Sequence, residues 1–469
     1  MVRQTNLKAG SLIVALALLM VACSPGTPTG TAGTTGTPGA TGTPAGATGT
    51  PATATATPAA ATATPAGATC PTGPTAIEVQ SWWTTGGEAN GLAKLFEKFN
   101  ADNPDLCAYN AAIAGGAGTV AQGVIKNRVL QGDPPDTFQV HMGHELTDTY
   151  VNLTSGSVLD PLDTSIIDPT KFPAGVVDII SGTDGQVYTV PVNIHRANVL
   201  WYNKSVFEEN NLTAPTTWDE FWTVAEALKA KNIDPLALGD KDIWTLGMVF
   251  ETLLIAELGA DGFNKLWTDA TAWSDPKVVT ALENLNKVYG YVNADHSALS
   301  WDQANQKVID GTAAMTIMGD WANGDYVAKN FTGYGWAPAP GNAEIYQALA
   351  DSFPLPSAAP NKDAVKKLLT FMASAEGQDI FNPYKGSIPA RIDAGNPPAD
   401  GLAYNEYQIS ALADWKANTV VPSMEHGAAA SPVFKTAIEN ALTAWTASPD
   451  AATAAAAFIA AAAEALTAP

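Results

Sequence analysis

Cysteine is nearly absent from these 469 residues: there are 3, too few for a fold in which a disulfide scaffold replaces the core. Basic residues are scarce as well. With 24 Lys and Arg against 46 Asp and Glu, the formal net charge of −22 argues against nucleic acid or an anionic lipid surface as a partner. Histidines number only 5. His141 and His144 could pair around a metal, but His-x-x-His at a strand end lacks helical spacing and a nearby third ligand, so no metal is expected. No Gly-Lys-Ser/Thr follows the glycines of Gly115–Gly118, which marks a turn and not a phosphate cradle. No repeat with a period of about 20–50 residues is visible, and no cofactor is implied.

What is present begins with an address. Arg3 and Lys8 precede an apolar run from Ser11 to Val21, a secretory signal whose core is too short to remain as a membrane span. Met20-Val21-Ala22-Cys23 resembles the lipobox of bacterial lipoproteins. The resemblance implies cleavage before Cys23, a lipidated cysteine, an extracytoplasmic location and membrane contact through the lipid anchor only; plain secretion after a nearby cut is the alternative. Loss of the leader removes Arg3 and Lys8 and no acid, taking the net charge from −22 to −24. From Ser24 to Ala68 the chain is almost wholly Thr, Ala, Gly and Pro, and it cannot bury enough surface to offset ordering entropy. Residues 24–69 are therefore a tether, whose ends as flexible coil would lie roughly 35–40 Å apart.

The remaining chain is long enough to need more than one core. A strand over Ala76–Trp83 is followed by a helix with Leu92, Leu95, Phe96 and Phe99 on one face, stopped by Pro104. A second strand near Ala108–Ile113, a helix ending near Leu130 and a third strand, Thr137–His141, complete the signature of a parallel sheet with covering helices. Cys70 and Cys107 precede the first two strands, so parallel neighbours would bring them together as a disulfide; two free thiols are the alternative.

The run QVYTVPVNIHRANVLWYNK, Gln186–Lys204, organises the rest. Two β-rich runs, Val187–Val190 and Val199–Tyr202, flank Pro191 and a polar segment, which reads as a crossing between two lobes or else as a hairpin arm in one sheet. Thr217 and Glu220 form a capping box ahead of a helix with Phe221, Val224, Ala225 and Leu228 on one face, and Ser300 with Gln303 forms another. Gly311 precedes a strand over Ala313–Met318, and the return crossing is expected at Gly319–Asp325. Tyr334–Pro340 and Ala348–Leu355 then rejoin the first lobe, while the helix carrying Val365, Leu368, Leu369 and Met372 and the Ala-rich tail from Asp450 belong to the second. The expected fold is α/β in two lobes: 70–193 with 326–357, and 194–325 with 358–469.

Ligands of open α/β sheets bind beyond the carboxyl ends of strands. Trp82, Trp83, Glu88, Gln139, His141, Trp244, Asp320 and Trp321 sit at such ends or in the turns that follow. An indole covers the C–H face of a pyranose while carboxylates, amides and imidazoles pair its hydroxyls, so these residue types suit a neutral polyol. Adjacent Trp82 and Trp83 point to opposite faces of a strand, so one of them belongs to the core.

At this point the chain resembles the extracellular solute-binding proteins of bacterial sugar ABC importers, and among them the glucose-type binding proteins. The resemblance lies in SWWTTGGE (Ser81–Glu88), GDPPDTFQVH (Gly132–His141), VPVNIHRANVLWYNK (Val190–Lys204), TTWDEF (Thr216–Phe221), IMGDWA (Ile317–Ala322), EGQDIFNPYKGSIPAR (Glu376–Arg391) and His426–Ala428. It implies the periplasmic-binding-protein-like fold, with two lobes joined by a multi-crossing hinge and the ligand in the cleft. It also implies sugar contacts by Trp82, Trp83, Glu88, Gln139 and His141 from the first lobe, and by Trp244, Asp320, Lys385 and His426 from the second lobe or hinge, with Trp321 beside them. The TTGGE turn is a residue longer than the acidic turn of the family's glucose binders, which bears on Glu88 and on the identity of the sugar.

The expected function is capture of a monosaccharide, glucose or a close epimer, by a monomer that closes on it and hands it to an ABC permease without chemical turnover. A surface glycoside hydrolase using Glu88 and Asp320 is one alternative, and a binder of an oligosaccharide or other polar solute is another. A site this rich in carboxylates disfavours an anionic ligand.

Overall fold

The computed structural model describes residues 70–114, 118–399 and 401–467. The leader, the tether, Cys23 and residues 115–117 of the glycine-rich turn lie outside the described residues.

The first strand, Thr75–Gln80, lies between Leu106–Asn110 and Thr137–Phe138, parallel to both. The helix Gly86–Asp102 buries Leu92, Leu95, Phe96 and Phe99, the stripe its spacing dictates, and stops at Asn103, where the following Pro104 disfavours a helical backbone. Parallel register pairs Ala76 with Cys107, which brings the two strand starts together, and a disulfide joins Cys70 to Cys107 with Cα atoms 5.8 Å apart. The second strand begins earlier than expected, although Ala111 and Ile113 still donate to the Val79 and Ser81 carbonyls beyond its end. The third expected strand breaks at Gln139. Val140–His141 turns away to pair antiparallel with Asp351–Pro356, which also takes Leu159–Asp160 and Thr189–Pro191 as partners.

Gln186–Lys204 does cross between lobes. Thr189–Pro191 belongs to the first-lobe sheet, whereas Val199–Asn203 pairs with Ala313–Ile317 and Tyr334–Pro338, so the two runs are not arms of one hairpin. The second-lobe sheet runs in the order Tyr334–Pro338, Val199–Asn203, Ala313–Ile317, Asp234–Leu236. Helices cover it, among them Trp218–Lys229, whose Thr217–Glu220 capping box is formed, and Ala451–Thr467, which buries Phe458 among second-lobe side chains. No helix among the described residues is long and apolar enough to cross a membrane.

Three expectations need correction. Gly319–Asp325 is not the final return crossing: Trp321 opens a helix, Trp321–Ala328, that packs on the first-lobe helix Gly86–Asp102, but the chain then goes back to the second-lobe sheet. Tyr334–Pro338 does not rejoin the first lobe; its backbone pairs with Val199–Asn203 from Tyr334↔Asn203 to Pro338↔Val199. The helix Lys362–Met372 belongs to the first lobe, where Val365, Leu368, Leu369 and Met372 are buried in one cluster with Ile77, Leu95 and Phe99. The amphipathic stripe stated that the helix packs, not on which lobe.

The return path is Ile345–Leu349, and it does more than connect. Ile345–Leu349 pairs antiparallel with His195–Arg196 of the first crossing and parallel with Thr419–Pro422 of a third. The crossing segments therefore hydrogen-bond to each other as a three-stranded sheet at the hinge.

The disulfide spans a sequence separation of 37. Closing a loop of that length is worth about 3–4 kcal/mol on the chain-entropy estimate, so urea unfolding with reductant should show a stability loss of up to that size. Coincident curves with and without reductant would contradict this.

Candidate functional site

A cleft of about 580 Å³ opens between the lobes, above the hinge sheet. On the first-lobe side the chain leaves Thr75–Gln80 and turns at Ser81–Thr85 into the helix Gly86–Asp102, presenting Trp82 and Glu88 to the cleft. The adjacent indoles divide as alternation requires. Trp83 is buried between Phe353 and Phe381, with ring centroids 5.9 and 5.3 Å away, while half-buried Trp82 stands 5.1 Å from the His141 ring. Gly118 lets the next helix approach Trp82: its φ is +107°, and a Cβ there would lie 2.9 Å from the indole.

Lys385 comes from the helix Ala375–Lys385, which packs on Gly86–Asp102, so it is a first-lobe residue and not a second-lobe one. Its buried ammonium pairs with Glu88, lies 4.9 Å from the centre of the Trp83 ring and sits 3.9 Å from Asp351 Oδ2.

Asp351, at the start of the strand leaving the hinge sheet, is the most heavily partnered group. Gln139 Nε2 donates to Oδ1 at 2.8 Å, and Asn193 Nδ2 and His195 Nε2 reach Oδ2 at 2.9 and 3.1 Å. Burial opposes its charge, but Lys385 and His195 outweigh that and hold the carboxyl well below the usual carboxylate range. His195 bonds through Nδ1 to Asp320, which also accepts from Arg196 N at 3.0 Å. Burial alone would lower the His195 pKa; Asp320 and, to a lesser extent, Asp351 reverse this and raise it, against Lys385. His195 thus bridges two carboxylates at the hinge, and they favour its protonated form.

The facing wall is aromatic. Trp244 opens the helix Trp244–Lys265, Trp321 opens Trp321–Ala328, and His426 follows the strand Thr419–Pro422. The His426 ring lies 5.7 Å from Trp244 and 5.2 Å from Trp321, and faces His141 of the first lobe edge-on at 5.5 Å. Burial, reinforced by His141 and Lys435, pushes the His426 pKa well below its ordinary value. The indole N–H of Trp244 is buried without a partner among the described residues.

Eight of the ten expected site residues line this cleft: Trp82, Trp83, Glu88, His141, Trp244, Trp321, Lys385 and His426. Asp320 and Gln139 do not. Asp320 is wholly buried beneath His195, and Gln139 is spent on Asp351 and on the Trp82 backbone N–H. His144 diverges from His141 and pairs with Asp148 at 2.9 Å, while His141 Nδ1 binds Glu145 Oε2 at 2.7 Å. His195 and Asp351 escaped the sequence reading. Their one signal was a run of polar residues, NIHRAN, in an otherwise apolar crossing, and an acid opening a strand of apolar residues.

Known proteins resemble this chain in sequence and, among solved structures, in fold. The family described as bacterial extracellular solute-binding protein matches residues 84–379. An uncharacterized ABC transporter extracellular-binding protein of Pyrococcus horikoshii is 37% identical over 363 residues, 76% of this chain and 80% of that protein. A probable sugar-binding periplasmic protein of Rhizobium meliloti is 30% identical over 374 residues, 78% of this chain and 88% of its own. A xylose/arabinose-binding protein of Haloferax volcanii is 27% identical over 369 residues, 76% of this chain and 77% of its own. Among solved structures, a bacterial solute receptor with an exclusive preference for β-D-galactopyranose covers 84% of this chain and 99% of its own at a TM-score of 0.73 and 23% identity, a likeness of fold.

Replacing His195 by Ala leaves Asp320 and Asp351 buried without their shared cation, at an expected cost of about 3–5 kcal/mol. Because the His195 pKa is raised, its contribution is complete below the unfolded value of 6.5 and is lost as pH rises through the folded one. Urea unfolding across neutral to alkaline pH should therefore show the gap between wild type and His195→Ala narrowing upward. A variant as stable as wild type at pH about 6 would refute the bridge.

Proposed function

The chain belongs to the bacterial extracellular solute-binding protein family, and from that premise we propose that it is the sugar-capturing component of an ABC importer. In this reading it closes on a monosaccharide, glucose or a near epimer, and delivers it to the membrane permease as a monomer, held to the membrane surface through a lipid on Cys23. The names of similar proteins, a probable sugar-binding protein and a xylose/arabinose-binding protein, support the substrate class.

The observation that carries the reading is the pairing of walls. Trp82 and His141 of the first lobe face Trp244 and His426 of the second, with Trp321 beside them, across a cleft whose floor carries Glu88, Lys385 and Asp351. Aromatic faces cover sugar C–H groups, and the charged groups take its hydroxyls. Each charged hydrogen bond contributes only about 1.5–3 kcal/mol, so tight binding needs contacts from both lobes at once, which closure supplies. Asp320 and Gln139 serve as supports of the floor in this reading, with Asp320 fixing His195 and Gln139 fixing Asp351.

Glycoside hydrolysis by Glu88 and Asp320 gains no support, because Asp320 is sealed behind the hinge and bonded to His195 and Arg196. An oligosaccharide stays as a second reading, since the cleft of about 580 Å³ extends to the partly buried Trp301.

A thermal-shift panel of mono- and disaccharides tests the class, since a ligand at 100 times its Kd adds about 2.7 kcal/mol of stability. Glu88→Gln should then weaken the best sugar by about 1.5–3 kcal/mol in calorimetry. No shift with any sugar, or release of new reducing ends from oligosaccharide, would overturn the proposal.

A further inference from the structure

Behind the cleft wall a short chain of hydrogen bonds ends on a carboxylate that plays no part in the floor. His426 Nδ1 lies 3.0 Å from Ser423 Oγ, and the same hydroxyl lies 3.0 Å from Glu251 Oε2. The other Glu251 oxygen accepts from Met424 N at 2.7 Å. All three side chains are buried, yet His426 still lines the cleft, and its Nε2 has no protein partner among the described residues.

Ser423 has one hydroxyl hydrogen and two candidates for it. We propose that Glu251 is a positioning residue that sets, through Ser423, which nitrogen of His426 carries the proton, and so whether His426 meets the bound sugar as an acceptor or as a donor. The inference rests on the carbohydrate reading for the second half of that statement only.

The two states follow from donor counting. With Glu251 ionised, Ser423 donates to Oε2 and its lone pair accepts the His426 Nδ1–H, which leaves Nε2 bare as an acceptor in the cleft. With Glu251 protonated, Oε1 is already occupied by the Met424 N–H, so the proton sits on Oε2 and is donated to Ser423. Ser423 must then donate to Nδ1, and the ring proton moves through cleft solvent to Nε2, which becomes a donor. One proton is taken up, at Glu251, and the imidazole stays neutral in both states, as its lowered pKa requires.

The surroundings place the changeover at neutral pH. Burial raises Glu251 to about 7, against the Met424 and Ser423 donors. The Gln347 amide approaches from Ile345–Leu349 without completing a hydrogen bond. Glu425, in the same loop, is driven well above the carboxylate range by burial, with Lys435 3.8 Å away opposing and Glu439 reinforcing that shift. On the other side, His426 faces His141, itself bound to Glu145, and feels His195 and Asp351 more weakly. Below about pH 7 His426 is therefore a donor, and above it an acceptor.

Nitrogen-15 histidine spectra of the full-length protein without sugar, with His426 assigned by His426→Gln, read the tautomer directly. The Nε2–H form should dominate at low pH and the Nδ1–H form at high pH, with a midpoint near that of Glu251. In Glu251→Gln the amide oxygen takes the Met424 N–H and the amide nitrogen donates to Ser423, so His426 should stay in the Nε2–H form at every pH. Ser423→Ala, which is smaller and keeps Glu251, should abolish the pH response and covers the case in which Glu251→Gln does not fold. A single wild-type tautomer throughout, or a pH response that survives Ser423→Ala, would overturn the relay. Calorimetry with D-glucose and D-galactose on either side of neutral pH should then show affinities differing by about fivefold in wild type, the worth of one hydrogen bond, and level in Glu251→Gln. Equal wild-type affinities at the two pH values would overturn the link to binding. A tautomer switch in a protein that binds neither these nor any other sugar would support the relay and overturn the carbohydrate reading instead.

Discussion

The structure depends on a hinge in which buried charge and backbone pairing coincide. His195, Ile345–Leu349 and Thr419–Pro422 come from three separate passages between the lobes, yet they form one small sheet. Through its imidazole His195 joins Asp320 to Asp351 beside that sheet. Removing charges from water is costly, and such a group persists only when its partners are complete. Here both carboxylates are held: Asn193 and Gln139 also donate to Asp351, and Arg196 N donates to Asp320. A hinge must bend without slipping, and a network that tolerates one arrangement only provides that register.

The same network reaches the cleft. Asp351 lies beside Lys385, Lys385 holds Glu88, and both Lys385 and Glu88 face the space where a ligand would sit. The floor is thus charged and rigid, set by the first lobe and hinge, while the opposite wall is built from indoles and a neutral imidazole. That division suits a sugar, which has an apolar face and a rim of hydroxyls. It also means that neither lobe alone presents a complete site.

Much of this could be read from the chain. The i, i+3, i+4, i+7 stripe of Leu92, Leu95, Phe96 and Phe99, the Thr217–Glu220 cap and the polar crossing at Gln186–Lys204 each carry a local physical signal, and the structure has all three. Trp82, Glu88, His141, Trp244 and Trp321 were legible because aromatic and polar groups at strand ends have few structural reasons to be there, whereas Lys385 and His426 carry no such signal and came only with the family resemblance. What escaped was pairing at long range. Nothing local in Tyr334–Pro338 tells that its neighbour is Val199–Asn203, and nothing in Lys362–Met372 tells which sheet its apolar face covers. Asp320 was placed in the cleft because it follows a strand, whereas a nearby imidazole draws it inward. His195 and Asp351 are 156 residues apart, and their partnership exists only in the fold.

Closure of the two lobes over a ligand that touches both would make the molecule more compact, which small-angle X-ray scattering with and without a saturating sugar reads. A smaller radius of gyration is expected with the bound sugar, and no change with a sugar that does not bind. Tight binding with an unchanged radius of gyration would contradict closure.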